Sequence, residues 1–244
     1  MTAIRAALFD IDGTLYHQLP VRLCMAAEMA LYFAATGAPL ALRRQAATLL
    51  AFRKVREELR RVGHAPLALA DLQFDETAIR TNVAPDEVRR LVDEWMLNRP
   101  NKYLWHARRR NVVSLVAGLA GTGVRLGAFS DYPADRKLEA LGLGDLFGPR
   151  LCATDPEINA FKPHPRGLLR ACELWGLSPA EVVYVGDRAD VDGAAAEAAG
   201  MRCYLVNVST GARSARTSDT TEKKDTHNGS RGLSELRRDC RTAA

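Results

Sequence analysis

The 244-residue sequence predicts an α/β protein: a doubly wound parallel sheet, interrupted after its first strand by an all-helical insertion. Three observations carry that reading. A short apolar run, Ile4 to Phe9, reads as a buried strand and breaks into the glycine turn Asp10-Ile11-Asp12-Gly13-Thr14-Leu15. From Leu19 to Asn98 the apolar spacing is helical, without a strand pattern. From Asn111 onward, helices and strands alternate, which indicates right-handed βαβ units and a sheet covered on both faces.

Each element follows from local pattern. Leu23, Ala26, Ala27, Ala30, Leu31 and Ala34 fall at helical spacing, and Gly37 closes that segment. Leu40 to Val62 is a second, arginine-rich amphipathic helix ending at Gly63, and Asp71 to Thr81 a short third. Ala84-Pro85-Asp86-Glu87 opens a fourth, with proline at the first helical position and acids in the first turn, running to Asn98 before Pro100. The alternating half then reads helix Val112–Leu119, strand Val124–Phe129, helix Ala134–Leu141 and strand Leu151–Ala153. It continues with helix Arg166–Trp175, strand Val182–Val185, helix Gly193–Ala199 and strand Cys203–Val208. Ser178-Pro179-Ala180-Glu181 is a capping box for a helical turn before Val182.

Residues 1–18 and 106–208 are therefore expected to form one α/β core, with 19–105 as the helical insertion. Residues 209–244 read as a flexible tail. Ser209 to Ser230 is rich in Ser, Thr, Asp, Lys and Gly with almost no aliphatic residues, and Leu233 to Arg238 has the pattern of one helical turn.

The composition, 47% hydrophobic and 26% charged, suits a soluble chain with an ample core. A formal charge of +5 and a pI near 9.1 favour anionic ligands, phosphate esters included. The five cysteines are scattered without a CxxC pair, which argues against a disulfide framework or zinc site and points to a reducing cytoplasm. Met1 to Arg5 leads directly into the first strand, leaving no room for a signal peptide, and no apolar run reaches membrane-spanning length.

The chemistry gathers at strand ends, where ligands bind in open parallel sheets. The first strand ends in Asp10 and Asp12, and the Val124 strand ends in Ser130-Asp131. The Leu151 strand leads to Lys162-Pro163-His164-Pro165, and the Val182 strand ends in Gly186-Asp187-Arg188-Ala189-Asp190-Val191-Asp192. Acids side by side repel one another and lose hydration, so they need a cation or a reaction. A divalent cation together with a phosphoryl group would neutralise this set of acids, hydroxyl and lysine.

These segments (DIDGT, the Ser130 strand end, KPHP and GDRADVD, in that order) resemble the haloacid dehalogenase-like (HAD) hydrolase superfamily over Ile4 to Val208. The resemblance implies a Rossmann-like core with a type 1 cap as a mobile lid. It implies Asp10 as a nucleophile forming an aspartyl-phosphate, and Asp12 as the acid and base for leaving group and water. Mg2+ would be held by the Asp10 carboxylate, the Asp12 carbonyl and Asp187. Ser130 and Lys162 would bind phosphoryl oxygens, and Asp192 would orient Lys162, either from outside the metal's own ligands or as an indirect metal ligand.

The dehalogenase branch resembles DxYGT and lacks the second acid, so Asp12 favours phosphate ester chemistry. Neither Lys54 nor Lys102 falls in a motif that would suggest the phosphonatase branch. The expected function is a Mg2+-dependent phosphatase acting on a small phosphorylated metabolite. The alternatives are a phosphotransferase or sugar-phosphate mutase and, more distantly, a non-catalytic binding protein. Neither nucleic acid nor a membrane is expected as a partner, and oligomeric state and substrate are left open.

Other residues read more plainly. His164 is expected at a helix start and Asp190 as a solvated turn acid, while Arg188 either pairs locally or faces the cap. Asp131 either lines the pocket or caps the next helix. The basic runs around Arg53 to Arg61 and Arg108 to Arg110 read as solvated faces. Trp95, Trp105 and Trp175 read as packing residues.

Overall fold

The computed structural model describes residues 2–37, 39–63, 67–206 and Leu236. In chain order it forms β1 (Ala6–Phe9), α1 (Gln18–Ala35), α2 (Pro39–Val62), α3 (Leu69–Thr81), α4 (Pro85–Val92), α5 (Asn101–Ala107) and α6 (Arg110–Ala120). Then follow β2 (Arg125–Ser130), α7 (Asp135–Ala140), β3 (Arg150–Cys152), α8 (Arg166–Trp175), β4 (Val182–Gly186), α9 (Ala194–Ala199) and β5 (Arg202–Leu205).

The strands make one sheet in the order β3-β2-β1-β4-β5, every pairing parallel. β1 and β4 are buried at every residue, which is why each reads as an unbroken apolar run without alternation. The chain builds outward from β1 to β3, then returns to lay β4 on the other side of β1. Strand order thus reverses between β1 and β4, and ligands bind at such a switch point.

Both faces are covered. Ala7, Phe9, Val183 and Val185 pack with Val112, Leu115 and Leu119 of α6 and Leu138 of α7. Ala6, Leu8, Phe129 and Tyr184 pack with Leu168 and Ala171 of α8 and Ala195 of α9. Gly167 in α8 lies flat on Phe129, and a Cβ there would come 2.1 Å from the ring. Gly167→Ala is expected to destabilise the protein by about 1–3 kcal/mol through overpacking. Chemical denaturation reads this as a lowered midpoint, and an unchanged midpoint would contradict the packing.

Helices α1 to α4 carry their own apolar cluster, with Phe33, Phe52, Phe74, Val88 and Trp95 at its centre. Gly37 and Gly63 end α1 and α2 with φ of +64° and +78°, as their places in the sequence suggest. The structure departs from the expected elements at several points. The helix expected to run on to Asn98 is α-helical only to Val92 and widens to a π-helical turn over Asp93–Asn98. α5 was not expected: Pro100 opens a new helix instead of ending one, and only Leu104 and Ala107 are buried, too weak an apolar pattern to read. β3 begins at Arg150 and β5 at Arg202, each one residue before the expected start.

The expected tail, residues 209–244, lies outside the described residues except for Leu236, which is buried in the cluster containing Phe9 and Tyr204. Residues 207–208 of the last expected strand also lie outside them. Among the described residues, no helix is long and apolar enough to cross a membrane.

Candidate active site

Asp10 is the first residue past β1, and its N–H donates to Val185 O at 2.8 Å, which fixes the carboxylate over the crevice between β1 and β4. Thr14 Oγ1 donates to Asp10 Oδ2 at 3.0 Å, and Lys162 Nζ donates to Asp10 Oδ1 at 2.7 Å. The same ammonium donates to Asp192 Oδ1 at 2.7 Å and Tyr184 Oη at 2.9 Å. Asp192 Oδ2 accepts from the N–H groups of Asp187 and Arg188, at 3.1 and 3.0 Å. With Tyr184 Oη also donating to its Oδ1, Asp192 is occupied on both oxygens and acts chiefly on Lys162 and the β4 loop.

Asp12 turns to different partners. Lys137 Nζ lies 2.7 and 2.5 Å from its two oxygens, Ser130 Oγ donates to Oδ2 at 3.3 Å, and the Tyr16 hydroxyl donates to Oδ1. Its backbone carbonyl accepts from Gln18 Nε2 at 2.5 Å. Gly13 permits the closest approach: at φ +100°, a Cβ on it would stand 2.2 Å from Asp187 Oδ2. The turn can therefore bring Asp187 against the Asp10–Asp12 loop only with glycine there.

Electrostatics separates the acids. Burial pushes the Asp10 carboxyl up to about 8, with Lys162 opposing and the other acids reinforcing. Asp187 is pushed up to about 6, first by burial and then by Asp192. Burial works upward on Asp12 too, but the Lys137 ammonium and hydrogen bonds from Lys137, Tyr16 and Ser130 outweigh it and hold Asp12 below its ordinary value. Burial opposes the charge on Lys162, yet Asp10, Tyr184 and Asp192 keep it well above the usual lysine range.

Asp10, Asp187 and Asp192 each offer a carboxylate oxygen within 4.8 Å of the others. Burial, with repulsion among these acids as a smaller contribution, pushes Asp10 and Asp187 upward. This all-oxygen set fits a hard divalent cation such as Mg2+. Asp192 is turned to Lys162 and the β4 loop, and Asp10 and Asp187, which meet across the Gly13 turn, are the carboxylates that could hold one.

The six residues expected at the site thus converge on one crevice. Four more join them that the sequence reading missed: Tyr16, Lys137, Arg56 and Arg60. Arg56 and Arg60 lie in the run expected to be a solvated helix face; Arg53 and Arg61 are exposed, but Arg56 is buried. Arg56 Nη2 donates to Asp131 O at 2.6 Å, with its guanidinium 3.8 Å from the Tyr132 ring centroid. Arg60 donates to Asp131 Oδ2 at 2.7 Å and to Lys162 O at 2.6 Å. Both follow Phe52 and Val55 on the buried face of α2, and that spacing was the available signal. Lys137 similarly shares a face with Ala134, Leu138 and Leu141, all buried.

The run at Arg108 to Arg110 is also only partly solvated. Arg109 Nε donates to Gly13 O at 2.8 Å, and Arg108 stacks on Trp105. Asp131 lines the pocket and leaves the N-terminus of α7 without a side-chain cap. His164 Nδ1 accepts from Arg166 N at the start of α8. Arg188 does both things considered for it, pairing with Asp190 at 2.7 Å and with Glu57 of α2 at 3.6 Å, while Asp190 is solvated. Trp95 and Trp175 pack in apolar clusters, whereas Trp105 is half-exposed.

Comparison with known proteins agrees with this arrangement. A phosphoglycolate phosphatase of Pectobacterium atrosepticum is 31% identical over 209 residues, covering 83% of this chain and 80% of that protein. A glyceraldehyde 3-phosphate phosphatase of Methanopyrus kandleri is 29% identical over 201 residues, covering 81% and 82%. Among solved structures, a 2-haloacid dehalogenase of Pseudomonas syringae pv. Tomato superposes with a TM-score of 0.63 at 23% identity, covering 99% of this chain and 100% of its own, which speaks to fold alone. The family described as haloacid dehalogenase-like hydrolase matches residues 4–200, and with the strand-end acids and lysine in that order the chain belongs to it.

Proposed function

We propose that the protein is a Mg2+-dependent phosphatase that hydrolyses a small phosphorylated metabolite through an aspartyl-phosphate on Asp10. The observation that carries this is the division of labour between two neighbouring acids. Asp10 sits with Lys162 at the switch point, while Asp12 is turned toward Lys137, Tyr16 and Ser130. The names of the two relatives, both phosphatases, support the same reading.

In the first step an Asp10 oxygen bonds to phosphorus as the bond to the leaving oxygen breaks, and Asp12 gives that oxygen its proton. Water then attacks the phosphorus, Asp12 takes the water's proton, and the bond to Asp10 breaks to release phosphate. The Lys137 ammonium favours the ionised Asp12 that this second step needs, and Asp12 leaves that step carrying water's proton, the one it gives to the next leaving oxygen. Lys162 and Ser130 meet the charge on the phosphoryl oxygens. Asp10 and Asp187, with the Asp12 carbonyl once Gln18 yields it, would hold Mg2+, which when bound offsets the repulsion between the attacking carboxylate and the phosphate. The four described cysteines are free, in keeping with a reducing, cytoplasmic setting.

The purified protein is expected to release inorganic phosphate from an aryl phosphate with Mg2+, to stop with EDTA and to resume when Mg2+ is restored. No release across a panel of phosphate esters would sink the reading. Phosphate moving between acceptors without release would assign a phosphotransferase instead.

A further inference from the structure

The crevice opens into a cavity of about 480 Å³ that runs from Asp10, Asp12 and Lys162 up between α1, α2 and the Asp93–Asn98 turn. This is the size of a pocket for a whole small molecule, not for a phosphate alone. Its far walls are apolar: Val21, Met25, Met29, Leu49, Trp95 and Met96. Three of the chain's five methionines line it, side chains that adapt to an apolar guest of irregular outline.

Among the charged groups along the cavity, Asp131 disfavours a second anion beside it. Arg60 pairs with the Asp131 carboxylate and Arg188 with Asp190 and Glu57, while Arg56 is held by Gln73 Oε1, the Asp131 carbonyl and the Tyr132 ring. Asp131 itself lines the cavity and keeps Oδ1 buried without a hydrogen-bond donor. That oxygen would repel a ligand carboxylate and accept from a ligand hydroxyl or amine. Glycolate would leave the apolar wall facing water.

We infer that the ester's leaving group is a bulky and largely apolar alcohol, seated against the methionines of α1 and the Asp93–Asn98 turn. This rests on the phosphatase reading and narrows its substrate class. Each methylene moved from water onto an apolar wall improves binding about three- to fourfold.

The test uses the intact protein with Mg2+ and straight-chain alkyl phosphates, whose leaving groups differ in length but hardly in acidity. From ethyl to hexyl phosphate, kcat/KM is expected to rise about threefold or more per added methylene until the cavity fills. Phosphoglycolate should be turned over no better than ethyl phosphate, and Met29→Trp, which fills the apolar end, should flatten the series. In parallel, calorimetric titration with ethyl- and hexylphosphonate reads the same preference without turnover. Hydrolysis with a flat series, or phosphoglycolate favoured by tenfold or more, would overturn the inference and leave the phosphatase standing. Tighter hexylphosphonate binding without hydrolysis of any ester would keep the apolar subsite and remove the phosphatase.

Discussion

Asp10→Asn is expected to lower phosphate release by about a thousandfold or more without unfolding the protein, since no other group in the crevice can replace the attacking carboxylate. Asparagine keeps the shape of aspartate: its oxygen can accept from Lys162 while its NH2 donates to Thr14 Oγ1, which can also accept. Lys162 keeps Asp192 at 2.7 Å and Tyr184 at 2.9 Å, so the substitution leaves no buried charge unpaired. The loss should therefore lie in kcat, with phosphonate affinity changed far less. Circular dichroism and the denaturation midpoint check the fold, and a phosphate-release assay checks the rate. A variant that retains a tenth of the activity would remove Asp10 from the nucleophile's role.

Asp12→Asn offers a contrast within the same loop. Asp12 is met by Lys137, whose ammonium would lose the carboxylate it holds at 2.5–2.7 Å. Both substitutions should stop turnover, but only the second strips a buried lysine of its ion pair. The difference would show in stability more than in rate.

How much of this was legible follows from sequence distance. The strand-end acids were readable because β1 and β4 lie at the centre of a parallel sheet, where a buried apolar run must end at the ligand edge. Asp10, Asp12, Ser130, Lys162, Asp187 and Asp192 all lie within a few residues of such an end or on a loop leading from one. Arg56 and Arg60 were not readable in that way, because arginine on a helix is usually solvated. They owe their burial to Asp131, 71 to 75 positions away in the chain. Tyr16 is four residues from Asp12, but only the turn at Gly13 folds its hydroxyl back.

The cavity was the least legible feature. Its apolar wall comes from α1, α2 and the π-helical turn after α4, and each contributes residues that serve equally well as ordinary core positions. Helical periodicity says which face is apolar; it does not say whether that face meets another helix or a ligand. The same limit hid α5, where Leu104 and Ala107 are too few to mark a face.

Lys162→Met should be the most destabilising single change at the site. The lysine is buried, and methionine supplies a chain of similar length with no charge and no donor. Asp10 Oδ1, Asp192 Oδ1 and Tyr184 Oη would then face a thioether. Breaking a buried ion pair by removing one partner costs about 3–5 kcal/mol, because the remaining charge is left uncompensated. For a chain of this size that corresponds to a fall in Tm of about 10 °C. Turnover should drop by about a hundredfold or more as well, through the lost donor to the phosphoryl oxygens.

Mg2+ separates this electrostatic cause from a packing defect. In the variant a divalent cation would take over the positive charge that Lys162 supplied among Asp10, Asp187 and Asp192, so Mg2+ should raise its Tm by more than it raises that of the unsubstituted protein. Adding Asp10→Asn to Lys162→Met should restore part of the lost stability, since one of the two stranded carboxylates is then gone. A Lys162→Met protein as stable as the parent, or one that Mg2+ and Asp10→Asn leave equally unstable, would show that the lysine does not hold these acids together.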